Sequence, residues 1–377
     1  MNTSQMPIIE LSGTPRQRGR QQGQLLKSQI QAVVTAWLND LGNFGRNSST
    51  AKPIDNKVYL SNLLAETDYL SAIDRWAPDL LEEIKGIAEA AEQPFEYILG
   101  LNLMDEEWVY GLRQSLNKPT EKCTAFGVPA QAGNTGFAGQ NMDISSWADG
   151  KQSLLRIKAT KKTPEALVFS IAGCIGLNGV NAAGLGVTCN TLSQLQYAVD
   201  GLPVLFIVRT LLEQRSIDDA VNFLLSIKHA SGQNYILSTK NEMRCFECCG
   251  NSVIAYRPEQ FEGRVFHTNH PLASSDVTNN PELNRSSKST VARLDSITER
   301  LGQPSQLLAL DDIKAALSAK DDPENPVSCD NNPEGSSIGF TAGSSIYEFE
   351  NPPRLHLAAG PPSISEYQIY EFTSYEQ

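Results

Sequence analysis

A chain of 377 residues, 40% hydrophobic and 20% charged, is long enough for one large or two ordinary globular domains with a real buried core. Its net charge of −12 is offset by no basic block, which excludes a protein that grips nucleic acid by neutralising phosphates. Nowhere do the roughly 18 uncharged apolar residues of a membrane-spanning helix run together.

The opening MNTSQMPIIE has neither a basic segment nor an apolar run, so no secretory signal is expected, and the closing SYEQ matches no address signal. Thr14-Pro15 then reads as a helix cap with proline at the first helical position. Leu26, Ile30, Val33, Val34, Trp37, Leu38 and Leu41 follow at helical spacing. After the polar break from Gly42 to Pro53, a second helix is expected near Tyr59 to Trp76 and a third from Asp79 to Pro94. Gly19-x-x-x-Gly23 has the spacing of a membrane dimer motif, but Arg16, Arg18, Arg20 and Lys27 around it exclude that use.

From Cys123 the pattern changes to short strands punctuated by glycine: Leu154–Lys158, Leu167–Ile171, Leu185–Asn190, Tyr235–Thr239, Arg244–Cys248 and Val253–Tyr256. Helices are expected at Pro203–Gln214, after the Ser216 cap with Asp218 and Asp219 in its first turn, at Ser289–Leu301, and near Ile313–Ser318. A polar loop, Lys320–Ser336, leads to strands Ile338–Phe349, Leu355–Ala359 and Tyr367–Phe372. No repeat is visible, and the mixture predicts an α+β fold of sheets covered by helices.

Several motif matches fail on context. Gly335-Ser-Ser-Ile-Gly339 fits a nucleophile elbow centred on Ser337, but a polar loop precedes it, a strand follows, and no aspartate lies between Ser337 and the later His356. Cys245-x-x-Cys248 with His267-x-x-His270 suggests zinc, yet the two cysteines fall in a strand, where that offset puts them on opposite faces. Asp330, Asn332 and Glu334 resemble the start of a calcium loop whose closing position is Thr341 rather than glutamate. Neither a Walker A sequence nor a dinucleotide-binding glycine unit occurs, so neither a metal nor a cofactor is expected. The seven cysteines, none before Cys123, are an odd count that favours reduced thiols and a cytoplasmic location over a disulfide framework.

The remaining motifs gain meaning from their order. TPRQRGRQQG, CTAF from Cys123, GQNMD ending at Asp143, GLNGVNAAGLGVTCN ending at Asn190, LPVLFIVRTLLEQRSIDDA, FHTNHPL and a terminal strand–GPP–strand run through nearly the whole chain. In that order they resemble the acyl-CoA:6-aminopenicillanic acid acyltransferase family, the cysteine N-terminal nucleophile hydrolases also grouped as peptidase family C45. The bile-salt hydrolases are a more distant relative.

The resemblance implies a four-layer αββα sandwich and a precursor that cuts itself between Lys122 and Cys123. Residues 1–122 then form a helical small subunit and 123–377 a large one, folded together as one domain, with a further oligomer possible. Matching the motifs gives Cys123 as nucleophile, Asp143 as the carboxylate that orients the new ammonium, and Asn269 as the side-chain donor to the oxyanion. Asn190 is a second polar position near the acyl site, and Thr124, Asn141 and His267 are supporting residues. A free α-amino group titrates near pH 7.7–8.0, so it can take the thiol proton of its own residue without a catalytic histidine.

The implied function is an amidohydrolase or acyltransferase working on a small N-acyl amine or peptide-like amide through a Cys123 thioester, with neither nucleic acid nor membrane as partner. CoA-dependent N-acyl transfer is an alternative; an uncleaved, silent small-molecule binding relative is another of a different class. Two departures stand out: Lys122 occupies a position where relatives commonly have glycine, and Asp330 follows Val327-Ser328-Cys329 where many carry arginine. The second exchange is compatible with a neutral or cationic substrate.

Overall fold

A computed structural model of the chain describes residues 6–41, 55–114, 123–131, 134–279, 284, 286–331 and 339–373. Strand β1 (Ile8–Leu11) precedes seven helices: α1 (Pro15–Leu25), α2 (Lys27–Asp40), α3 (Asn56–Glu66), α4 (Tyr69–Trp76), α5 (Pro78–Ala91), α6 (Phe95–Leu101) and α7 (Met104–Gln114). Thr14 caps α1 in a reciprocal box with Gln17, and Pro15 takes the first helical position, as the sequence predicts.

The strands follow from Cys123 onward: β2 (Thr124–Val128), β3 (Phe137–Ile144), β4 (Gln152–Ile157), β5 (Ala166–Ile171), β6 (Asn178–Asn181) and β7 (Gly186–Thr191). Helices α8 (Val204–Leu212) and α9 (Ile217–Ser226) interrupt them, after which come β8 (Gln233–Ser238), β9 (Met243–Cys248), β10 (Val253–Tyr256) and β11 (Val265–His267). The chain closes with α10 (Lys288–Leu301), α11 (Leu310–Leu317), β12 (Phe340–Glu348), β13 (Arg354–Ala358) and β14 (Gln368–Tyr370).

The strands form two sheets, ordered β1-β4-β5-β6-β7-β8-β9-β10 and β11-β2-β3-β12-β13-β14. The sheets pack face to face through β2, β3 and β12 against β6, β7 and β8. Helices α8 and α9 cover the first sheet, joined by the N-terminal helices, and α10 and α11 cover the second. This is the αββα sandwich that the motifs imply. Middle strands such as β2 and β5 are buried along their whole length, because each is covered on one side by a sheet and on the other by helices. Among the described residues every strand pairing is antiparallel except that of β1 with β4, which joins the N-terminal segment to the strand layer.

Two features tie the helical layer together. Helices α1 and α5 cross so closely that a Cβ on Gly19 would strike the Glu83 carbonyl and one on Gly86 the Arg16 carbonyl. The Gly19-x-x-x-Gly23 spacing therefore does serve a close helix crossing, inside one chain rather than between membrane helices. Beside it lies a buried ionic cluster in which Glu83 accepts from Arg18 of α1 (3.0 Å) and Arg209 of α8 (2.8 Å). Burial alone would raise the Glu83 carboxyl, but Arg209 and Arg18 outweigh it and hold it below its ordinary value.

The helix expected over Tyr59–Trp76 is two helices. At the break Thr67 turns extended and the Asp68 N–H donates to the Val199 carbonyl rather than into the helix. Helices α6 and α7, beyond Pro94, add two elements that the apolar periodicity does not predict separately. Ser337, Asn332 and Glu334 lie outside the described residues.

Candidate active site

Cys123 lies immediately before β2, the strand paired on one side with β11 and on the other with β3. It is buried, and its thiol faces the Asp143 carbonyl oxygen at 3.8 Å and the Met142 sulfur at 3.7 Å. Burial, and then the neighbouring Asp143 charge, push the Cys123 thiol up to about 12. At neutral pH the thiol is therefore protonated. Lys122, on the other side of the expected cut, lies outside the described residues.

Cys123 and Asp143 open onto a cavity with about 710 Å³ of empty space, counting its mouth. Its walls come from both parts of the chain. Helix α2 contributes Trp37 and Asp40 and α7 contributes Asp105, Glu107 and Trp108, while Trp147 and Thr191 come from the strand layer. On α7 Asp105 and Trp108 are three residues apart and so share a face, as do Trp37 and Asp40 on α2. Helix α7 opens with Asp105, Glu106 and Glu107 in its first turn, where the helix dipole favours negative charge.

Behind Cys123 stands Arg293, a fully buried residue of α10 that the motifs do not single out. Its Nη1 donates to the Cys123 carbonyl oxygen and to Thr124 Oγ1 (3.0 Å), and its Nη2 donates to Asn269 Oδ1 (3.1 Å). A guanidinium only donates, so this contact fixes which end of the Asn269 amide is oxygen. Asn269 Nδ2 is thereby turned toward Thr191, whose carbonyl accepts at 3.0 Å, and Thr191 lines the cavity. The second hydrogen on Nδ2 is what an oxyanion would need.

The other expected residues sit further back. Asn141 is fully occupied, donating to the Leu317 and Val327 carbonyls (2.8 and 2.9 Å) and accepting from Ser344, so it pins α11 and the following loop to β3. His267 Nδ1 faces the Thr268 carbonyl at 2.8 Å and Nε2 faces Glu247 at 2.9 Å. Burial would raise Glu247, but His267 and the N–H groups of Leu272 and Ser274 hold it low. His267 thus organises the loop after HTNH. Asn190 is fully buried on the face of β7 opposite Thr191; its Oδ1 accepts from Asn234 (3.1 Å), and it is not part of the cavity wall. Asp330 is turned outward to Lys320 (2.7 Å).

The acyl-coenzyme A:6-aminopenicillanic acid acyl-transferase family matches residues 130–349. A curated relative, the 40 kDa form of acyl-coenzyme A:6-aminopenicillanic-acid-acyltransferase from Emericella nidulans, is 27% identical over 346 residues, 90% of this chain and 89% of its own. Among solved structures, the Caenorhabditis elegans N-acylethanolamine-hydrolyzing acid amidase ortholog is 15% identical with a TM-score of 0.40, covering 59% of this chain and 92% of that one. The R18L variant of conjugated bile acid hydrolase from Clostridium perfringens is 13% identical with a TM-score of 0.44, covering 67% and 97%. With more than half of its residues inside the family match, the chain belongs to the acyl-coenzyme A:6-aminopenicillanic acid acyl-transferase family, a family of enzymes.

Proposed function

We propose that this chain is an N-terminal cysteine amidohydrolase or acyltransferase, matured by cleavage between Lys122 and Cys123, that acts on a small N-acyl amine or peptide-like amide. The observation that carries the reading is Cys123 on the wall of a cavity beside Asp143, with Arg293 donating both to the Cys123 carbonyl oxygen and to the Asn269 amide oxygen. Cleavage frees the Cys123 α-amino group. That amine takes the thiol proton as sulfur attacks the carbonyl, Asn269 Nδ2 donates to the oxygen that gains charge, and Asp143 holds the resulting ammonium. The ammonium returns its proton to the departing amine, leaving a thioester on Cys123. Water, or a second amine, then attacks the thioester and regenerates the thiol.

The high proton affinity of the uncut thiol fits a zymogen, because the cut places a cationic group beside the sulfur where burial had disfavoured the thiolate. Association of the two pieces is supported by β1 pairing with β4 and by Glu83 bridging Arg18 and Arg209, both of which cross from residues 1–122 to 123–377. A cytoplasmic site is supported by the seven cysteines, all free thiols. No helix of the described residues is long and apolar enough to cross a membrane.

Intact-mass analysis and N-terminal sequencing of the purified protein test the proposal. Wild type is expected as two pieces, the larger beginning at Cys123, and Cys123→Ala as one uncut, inactive chain. Wild type that stays whole and turns over no amide would overturn it.

A further inference from the structure

Helix α7 precedes Cys123 in the chain, yet one of its side chains grips the strand end that holds Asn269. Asp105 stands in the first turn of α7. Its Oδ2 accepts from Thr191 Oγ1 of β7 and from Gln233 Nε2 of β8, both at 2.7 Å. Thr191 and Gln233 are direct partners across those two strands, so their side chains share a face. The turn that carries Asp105 is itself fixed. Its neighbour Glu106 accepts from Ser231 Oγ (2.7 Å) and from the Val204 N–H at the start of α8 (3.1 Å).

Burial raises the Asp105 carboxyl, and the Thr191 and Gln233 donors pull it back only in part. Neither bond depends on the charge, because a protonated carboxyl keeps an oxygen that accepts. What Asp105 supplies is therefore a fixed acceptor. Thr191 is where that matters, since it is the last residue of β7 and the chain turns immediately after it. That turn holds Asn269 at two points: the Thr191 carbonyl accepts from Asn269 Nδ2 (3.0 Å), and Gln194 Nε2 donates to the Asn269 carbonyl (3.2 Å). Asn269 Oδ1 accepts in turn from Arg293, which also donates to the Cys123 carbonyl. A line of hydrogen bonds thus runs from α7 through Thr191 and Asn269 to Cys123. Threonine is branched at Cβ and stiff about χ1, so an anchor on Oγ1 restrains the backbone of the same residue.

We propose that Asp105 is a positioning residue, which by holding the Thr191 hydroxyl sets the place of the Asn269 amide that the Thr191 carbonyl holds. The inference rests on the amidohydrolase reading, in which Asn269 Nδ2 donates to the oxyanion. It makes the piece before the cut a part of the reacting geometry.

The test uses the 4-nitroanilides of straight-chain acids from acetyl to decanoyl, with rates expressed per cut chain. Asp105→Ala is expected to lower kcat by about 10- to 100-fold with KM changed by less than about threefold. Thr191→Val deletes the same bond from its other end and should do likewise. The double variant should lose no more than about threefold beyond the worse single one. Asp105→Asn keeps an oxygen that can accept from both donors and is expected to restore kcat to within about threefold of wild type. Full activity of Asp105→Ala, a loss confined to KM, or an asparagine no better than alanine overturns the inference and leaves the amidohydrolase reading standing. Amide hydrogen exchange in the Cys123→Ala chain reads the same link without catalysis. Adding Asp105→Ala, or Thr191→Val should the first not fold, is expected to speed exchange severalfold in segments 190–196 and 266–272, and adding Asp105→Asn is not. If no anilide is turned over, the amidohydrolase reading fails and exchange decides, as it does if Asp105→Ala is not cut: faster exchange over 266–272 supports the inference, and unchanged exchange there overturns it.

Discussion

Arg293 lies on the buried stripe of α10, with Thr290, Ile297 and Leu301 as its neighbours at helical spacing. An arginine at a core-facing position is a readable signal, since an ionised group is rarely buried without partners to match. What the sequence could not supply is the identity of those partners, the Cys123 carbonyl, Thr124 and Asn269, which lie 24 to 170 positions away. Arg293→Lys keeps the charge but loses the fork that grips two groups at once. On the proposed mechanism we expect kcat to fall by about 10²-fold with KM changed far less, because Arg293 holds the Asn269 amide proposed to donate in the transition state. Steady-state kinetics with a thermal melt checks this, and a loss confined to the melt would make Arg293 a packing residue only. By contrast, the order of short motifs along the chain singles out Cys123, Asp143 and Asn269, and the structure places the first two on one cavity wall.

At the scale of elements, the crossing of α1 and α5 is the tightest constraint in the helical layer. Replacing Gly19 or Gly86 by alanine puts a methyl where a backbone carbonyl already sits. Each change is expected to destabilise by about 1–3 kcal/mol, despite alanine's better helix propensity, and urea unfolding measures it. Most strands and the later helices were legible from alternation, caps and glycine punctuation, with boundaries within a few residues. The pattern failed for α7. Its first turn carries Asp105, Glu106 and Glu107, charges that ordinarily mark an exposed surface, yet Glu106 and Glu107 are buried. The cavity walls were illegible for the same reason: α2 and α7 reach Cys123 only through tertiary packing.

Across the whole molecule, the buried carboxylates tie stability to pH. Burial, then the neighbouring Asp105, push Glu106 up to about 8, against which the Ser231 hydroxyl and the Val204 N–H pull only partly. In the unfolded chain the group titrates near 4.3, so between these values the folded state binds more protons. The stability that comes from keeping Glu106 neutral is complete below about pH 4, and it is lost as pH rises through about 8. Glu106→Gln has no charge to bury and is expected to flatten this part of the curve, measured as the melting temperature from pH 5 to 9.

The crowding of Trp37, Trp108 and Trp147 around one cavity also has an optical side. The fourth tryptophan, Trp76, stacks with Arg75 on α4, away from that wall. Ultraviolet emission from this protein therefore reports mainly on one place, and a molecule entering or leaving the cavity changes the surroundings of three emitters together. The chain carries its own dye for the cavity beside Cys123.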